Sequence, residues 1–449
     1  MIGTSLLRAA AVAALALSLA PASASASAQS KPEYVKFPET KGALYRPDSG
    51  PVPHVGVVVM HRTADYLSHP SCTEMSKRGF LMLCMNTRYE NNETMVNFER
   101  LPLDVKAGVE YLRKVPGITK VLLFAHSGGG PLMSLYQAVA ENGVGYCKGP
   151  NKLSECGDDL ANLPKADGII FADPNPGNSV NTLRRINPAV QNENNPPDPK
   201  PIAELDMSDP KNGFNPNGES KYSEEFQARY FKAQADRMNR LIKTAQDKLV
   251  LIRAKNYPYG DDDIMVIPWS GNPGSGAGGS ENGLYVAQTA MPFFNSTSKP
   301  QKLLKNDGTI SVQVIDSVLV PNTKSGEIVK NFRTGTKIFT LRSFLSAQAI
   351  KSTNSKDGID WCSSNNSTVC AIQSITVPVL FMAMGGHYYV GDGERYLEAA
   401  KSQDKEFLVI EGATHGFTPC KPCEKTPGQY ANSMTNMFDY TAKWAKERF

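Results

Sequence analysis

The feature that most constrains this chain is an alternation of short apolar runs with helix-like stripes. The runs His54–His61, Phe80–Met85, Val121–Ala125 and Gly168–Ala172 contain no Asp, Glu, Lys or Arg. Such runs suit strands buried on both faces of a sheet. Between them, Glu74–Gly79 reads as a helix end, and Val105, Val109, Leu112 and Val115 form a helical stripe closed by Pro116-Gly117. Pro131–Ala140 reads as a further helix. Strands alternating with helices predict an α/β fold, with a mostly parallel central sheet flanked by helices.

The alternation stops after Asp173 and resumes near Val377. Segment 174–375 is polar and rich in Pro, Gly and Asn, with a predicted helix at Ser223–Lys248 and strand-like runs at Val312–Val320 and Lys337–Leu341. At roughly 200 residues it far exceeds an ordinary connection. It reads as a large cap inserted late in the sheet. Trp269, Trp361 and the Cys362/Cys370 pair argue against an unstructured linker. The core then comprises 29–173 and 376–449. Its second part holds a strand at Val377–Met382, a helix around Glu394–Ala400, a strand at Phe407–Ile410 and a closing helix at Tyr430–Phe449.

Residues 1–28 read as a signal peptide: Arg8, the apolar run Ala9–Ala20, then small residues ending in Ala26-Ser27-Ala28. The run is short of the roughly 20 residues a membrane span needs. The expectation is a secreted or periplasmic protein with no membrane anchor after cleavage. Eight cysteines fall into local pairs, Cys72/Cys84, Cys147/Cys156, Cys362/Cys370 and Cys420/Cys423. An even count in an exported chain suggests disulfides. Cys420-Lys-Pro-Cys423 also has redox or metal spacing, but Pro419 and Pro422 and the absence of two nearby ligands favour a structural staple. A formal charge of +4 over 449 residues, with no dense basic run, points away from nucleic acid and anionic membrane surfaces.

The strongest chemical signal is Phe124-Ala125-His126-Ser127-Gly128-Gly129-Gly130, where a strand enters a tight turn before a helix. A serine on such a turn is lifted above the strand end. The next amide, on Gly128, and the positive end of the helix then face a developing oxyanion. A phosphate loop would need a Lys after the glycines, and none follows. The second signal is His415, in Val409-Ile410-Glu411-Gly412-Ala413-Thr414-His415-Gly416-Phe417, a short glycine-bearing loop after the last strand. The third is His61-Arg62-Thr63-Ala64 after the first strand.

Together these motifs resemble the α/β-hydrolase family, with Ala125 in place of the first glycine of the family's nucleophile elbow. The resemblance covers about residues 40–173 and 376–449 and leaves the cap unmatched. It implies Ser127 as nucleophile and His415 as general base. It also implies an oxyanion hole of Gly128 with Arg62 or Thr63, Arg62 standing where the family often has glycine. The acid is where the chain departs from the family. His387 stands where Asp is usual, in Met384-Gly385-Gly386-His387-Tyr388-Tyr389. Asp392, Asp173 and Glu394 therefore compete, Glu394 being equally explained as a charge at a helix N-terminus. His61, His387 and Tyr388 are candidate substrate contacts, and His126 is expected to pack beneath the elbow. The activity implied is hydrolysis of an ester in a small-molecule or polymer-derived carbonyl substrate, with no cofactor or metal. Cleavage of an amide or a β-diketone C–C bond by the same triad, or a non-catalytic binding protein on this fold, remain alternatives.

Overall fold

A computed structural model describes residues 31–193, 200–215, 220–270, 295–319 and 335–449. The signal-peptide reading of 1–28 lies outside the described residues. So does Val320, the end of one strand-like run.

The main sheet has ten strands in the order β1-β2-β4-β3-β5-β6-β13-β14-β8-β9. Their spans are β1 Glu33–Lys36, β2 Lys41–Tyr45, β3 Val55–Met60, β4 Leu81–Met85, β5 Lys120–Ser127, β6 Gly168–Pro174, β8 Gln301–Leu304, β9 Ile310–Gln313, β13 Val379–Met384 and β14 Lys405–Ile410. From β4 to β8 every neighbour pair is parallel, while β1, β2 and β9 add antiparallel edges. The sheet is thus mostly parallel and covered by helices on both faces.

Alternate residues of each central strand feed opposite cores. Val58 and Met60 join Leu123, Ile169 and Phe381 beneath helices α2 (Pro102–Lys114) and α3 (Gly129–Asn142). Val57 and Val59 join Phe124 and Ile170 beneath α1 (Pro70–Ser76) and the C-terminal helix Ser433–Lys446. Burial on both faces is why these strands carry continuous apolar runs.

The intervening segment is not wholly a cap. Inside 174–375, β8 pairs in parallel with β14, and β9 closes the sheet edge beside it. These strands are short and polar, and only the end of β9, at Val312-Gln313, falls in the strand-like run Val312–Val320. The remainder builds a second layer. Helix α4 (Asn178–Arg185), the long helix α5 (Glu224–Arg253) and the pair β7 (Ile264–Pro268) and β10 (Thr336–Thr340) share one apolar cluster. Val180, Leu183, Met238, Leu241, Ile267 and Phe339 are its centre. Helix α5 starts where Ser223 accepts from the Phe226 amide, with Glu224 and Glu225 in its first turn. Both features stabilise a helix N-terminus.

All eight cysteines pair as neighbours: Cys72–Cys84, Cys147–Cys156, Cys362–Cys370 and Cys420–Cys423. No helix among the described residues is long and apolar enough to cross a membrane.

Candidate active site

The chain leaves β3 for β4 on one side and returns to β5 on the other. At such a switch point the carboxyl ends of the strands open a crevice. His61 follows β3 and Ser127 ends β5 at this crevice.

Ser127 has φ +53°, a left-handed conformation rare for a residue with a side chain. The turn closes because three glycines follow. A Cβ on Gly128 would lie 2.5 Å from His61 Nε2, on Gly129 2.5 Å from the Met60 carbonyl, and on Gly130 2.6 Å from Pro174 Cβ. Helix α3 starts at Gly129, so the amides of its first turn have no intrahelical acceptor.

His415 Nε2 lies 2.9 Å from Ser127 Oγ, and its Nδ1 lies 2.6 Å from Asp173 Oδ2. Asp173 is fully buried and has φ +47°. It owes this pose to a bulge. His126 pairs with Ala172, but Ser127 pairs with Pro174, leaving Asp173 as the extra residue of β6. A bulge of this kind re-aims a side chain. Left-handed conformations at non-glycine residues cost on the order of 1–3 kcal/mol each. Here two face each other across adjacent strands.

The Met384 amide donates to Asp173 Oδ1 at 3.1 Å. His387 Nδ1 lies 2.6 Å from the same Oδ2 that His415 meets, and the two rings stack at 4.5 Å. Burial opposes ionisation of Asp173, but His387 and then His415 hold its carboxyl below the ordinary carboxylate range. His387 therefore occupies the usual acid position while turned onto the acid itself. Tyr388 is buried against the His387 ring, and the Tyr389 ring lies 6.1 Å from His415.

The other two acid candidates lie elsewhere. Both oxygens of buried Asp392 are taken by guanidinium groups, Arg184 Nη1 and Nη2 at 2.8 and 3.1 Å and Arg395 Nη1 at 2.8 Å. Burial opposes its ionisation, yet Arg184 and Arg395 hold it low. Glu394 accepts from the Ser298 and Lys299 amides at 2.6 and 3.0 Å and from Gln301 at 2.9 Å, tying helix Val390–Ala399 to the strand β8 region. Neither carboxylate has His415 as a partner.

The loop after β3 is organised by His61. Its Nδ1 accepts from the Thr63 and Ala64 amides at 3.1 and 2.8 Å. The Thr63 amide is therefore turned onto the His61 ring. With Nδ1 accepting, the proton of neutral His61 is assigned to Nε2, beside Gly128. Burial first, then the Arg62 guanidinium, then His415 and His69, hold His61 well below its ordinary value.

In the layer under His415, sequence reasoning singled out His126 but missed its partners His69 and Tyr66. His126 Nε2 lies 2.8 Å from the His415 carbonyl, and its Nδ1 lies 3.0 Å from His69 Nε2 and 2.7 Å from the Tyr66 hydroxyl. The Ser71 amide donates to His69 Nδ1 at 3.3 Å. The consistent tautomers have His69 Nε2–H donating to His126 and His126 Nε2–H donating to the His415 carbonyl. Burial, with His415 next, pushes His69 down to about 3, and His126 is held low for the same reasons. Both rings stay neutral and act as fixed donors. Phe417 anchors the loop from below, with φ +70° and its ring 4.6 Å from His126 and 5.6 Å from Phe438. The Cys420–Cys423 pair follows, where the Cys420 amide donates to the Gly412 carbonyl at 2.8 Å. Five of the chain's six histidines gather here, a signal visible only as a count in the sequence.

Asp173, His387 and His415 are the one group among the described residues whose metal-capable atoms lie within 4.8 Å of one another. Their 2.6 Å contacts have hydrogen-bond length.

No family model matches the chain, and no curated protein does. Among solved structures, it is similar to DcsB in complex with its substrate analogue, with TM-score 0.43 and 11% identity over 93% of this chain and 98% of that one. It is also similar to Est1E from Butyrivibrio proteoclasticus, at 0.38 and 10% over 93% and 99%. A soluble variant of the monoglyceride lipase from Saccharomyces cerevisiae gives 0.37 and 12% over 95% and 97%. These likenesses are remote, and the chain's own topology decides the matter. Its strand order, the strained serine turn between β5 and α3, and the histidine loop after β14 give this chain an α/β-hydrolase fold.

Proposed function

We propose that this protein is an exported serine hydrolase that cleaves a carboxylic ester through an acyl-enzyme on Ser127. The observation that carries the reading is the line Asp173–His415–Ser127, with contacts of 2.6 and 2.9 Å. A nucleophile, a base and an orienting carboxylate at hydrogen-bond distance are what acyl transfer requires.

In the proposed reaction, His415 Nε2 takes the Ser127 proton as Oγ attacks the ester carbonyl. Asp173 keeps the other ring proton on Nδ1 and stabilises the imidazolium that forms. The oxyanion is received by the Gly128 and Arg62 amides, aided by the N-terminus of α3. His415 then returns its proton to the leaving alkoxide. Water, deprotonated by the same ring, hydrolyses the acyl-enzyme and frees the acid and Ser127. His387 and Tyr388 pack beside Asp173 and His415, and with His61 they are the candidate substrate contacts.

Export is supported by the leader-like residues 1–28 and by the four disulfides, which suit an oxidising compartment. The test is pre-steady-state kinetics with a 4-nitrophenyl ester. A burst of one nitrophenolate per folded molecule, absent in Ser127→Ala, is expected. Equal turnover by that variant would overturn the reading.

A further inference from the structure

His387 follows the end of β13, after the pair Gly385-Gly386. Those glycines fix where its ring can go. The Gly385 amide donates to the Ile410 carbonyl at 2.8 Å, and the Gly386 amide donates to the Ala413 carbonyl at 2.7 Å. A Cβ on Gly385 would lie 2.8 Å from the Ile410 carbonyl oxygen, and one on Gly386 2.8 Å from the Ala413 carbonyl oxygen. The backbone after β13 therefore lies directly against the end of β14 and the start of the His415 loop, an approach that only glycine allows. The His387 amide closes the turn by donating to the Met384 carbonyl at 3.0 Å. His387 and His415 are thus placed from one backbone contact, Gly386 to Ala413.

The His387 ring is buried. It packs against the Tyr388 ring at 4.0 Å, the Tyr389 ring at 4.9 Å and the His415 ring at 4.5 Å. Its Nδ1 lies 2.6 Å from Asp173 Oδ2, the oxygen that His415 Nδ1 also meets at 2.6 Å. Two lone pairs repel at that separation, so the proton of each neutral ring is assigned to Nδ1. Oδ2 then has two imidazole N–H groups turned on it, while Oδ1 accepts from the Met384 amide. Turning the carboxylate would leave donors unpaired in a buried place, which is costly. Asp173 needs such support. It is the extra residue of a bulge with φ +47°, so the regular strand ladder does not hold it.

We propose that His387 is a positioning residue of the reaction: through the oxygen it shares with His415, it holds the Asp173 carboxylate in the orientation that keeps the His415 proton on Nδ1 and leaves Nε2 to Ser127. The proposal rests on the serine-hydrolase reading above and adds a fourth residue to its triad. It gives His387 a role other than substrate contact, and it accounts for a histidine where the family usually has its acid. The acid has its place on β6, and the imidazole reaches across from β13 to steady it. Without that imidazole one side of Oδ2 is open, the carboxylate swings, and His415 spends less time aligned on Ser127. Such a loss falls on the chemical step and not on substrate binding.

The experiment compares ester turnover, per folded molecule, in His387→Asn and His387→Phe. Asn sets an amide N–H near the place of Nδ1 and leaves the rest of the ring's space empty. Phe fills the space and has no donor. A ring that only packs is better replaced by Phe, whereas a ring that positions Asp173 is better replaced by Asn. In His387→Phe, kcat is expected to fall by about 10- to 100-fold, the range of one hydrogen bond to a charged group, with KM unchanged. His387→Asn should recover most of that loss. Native kcat in His387→Phe, or a kcat in His387→Asn no higher than in His387→Phe, overturns the proposal. So does a loss confined to KM, which would make His387 a substrate contact. If His387→Phe does not fold, proton NMR of the native protein decides. Two low-field imidazole N–H signals, both absent from Asp173→Asn, are expected, and a single such signal overturns the shared oxygen. A Ser127→Ala control without turnover keeps the serine reading intact whatever the His387 variants do. Turnover by that control would sink the serine reading itself.

Discussion

Replacing Asp173 and Asp392 separately by Asn should produce opposite phenotypes. Asp173 accepts from His415 Nδ1 at 2.6 Å and from the Met384 amide at 3.1 Å, and His387 Nδ1 lies 2.6 Å from the same Oδ2 as His415. In Asp173→Asn the amide oxygen can still accept one of them. The new NH2 group facing His415 would require Nδ1 to be an acceptor. The ring proton then moves to Nε2, 2.9 Å from Ser127 Oγ, where a base is needed. A wrong tautomer in a triad of this kind costs about 10,000-fold in kcat. We expect a loss of roughly a thousand- to ten-thousand-fold here, with KM changed less than threefold. Asp392→Asn removes the carboxylate that pairs with buried Arg184 and also releases Arg395. Breaking a buried pair in this way costs about 3–5 kcal/mol. Its kcat per folded molecule should stay within threefold of native. The assay is ester turnover normalised to folded protein, with urea unfolding for stability. Abolished turnover in folded Asp392→Asn, with an active Asp173→Asn, would refute the reasoning.

Further outcomes follow from the same contacts. Since His387 and His415 hold the Asp173 carboxyl below the unfolded value of about 3.9, its share of stability is complete above that value and is lost as pH falls toward the folded value. Asp173→Asn should accordingly flatten the acid side of the stability curve between those limits, which urea midpoints measured from pH 5 downward would show. His126→Phe removes the 2.8 Å contact to the His415 carbonyl. It should lower kcat by about tenfold, the scale of one buried hydrogen bond, and unchanged kcat would show that the loop needs no such support. Gly128→Ala places a Cβ 2.5 Å from His61 Nε2 and should reduce both kcat and thermal stability, whereas Gly416→Ala, with open space around its Cβ, should leave stability unchanged.

What could be read from the sequence follows from how local each feature is. The central strands were legible because burial on both faces demands uninterrupted apolar runs, as in β3 and β13. Ser127 and His415 stand in short motifs whose glycines report a turn. The structure sets these two side chains 2.9 Å apart although they are separated by 288 residues. The carboxylate was ambiguous for a physical reason. Asp173 faces His415 through a one-residue bulge in β6, and nothing in Phe171-Ala172-Asp173-Pro174 announces a bulge. Asp392 and Glu394 were plausible by spacing, but their partners Arg184 and Ser298 lie 208 and 96 residues away in the segment taken for a cap. The same distance hid β8, which becomes a strand only beside β14, and left β9, its antiparallel neighbour, touched only by the start of the run Val312–Val320. His69 and Tyr66 escaped notice because a buried neutral histidine leaves no local pattern.

The most direct test of the central claim is to identify the residue that a fluorophosphonate probe modifies. The native protein should carry one adduct, on the peptide bearing Ser127, and Ser127→Ala should carry none. An adduct on another residue, or equal labelling of the variant, would contradict the assignment.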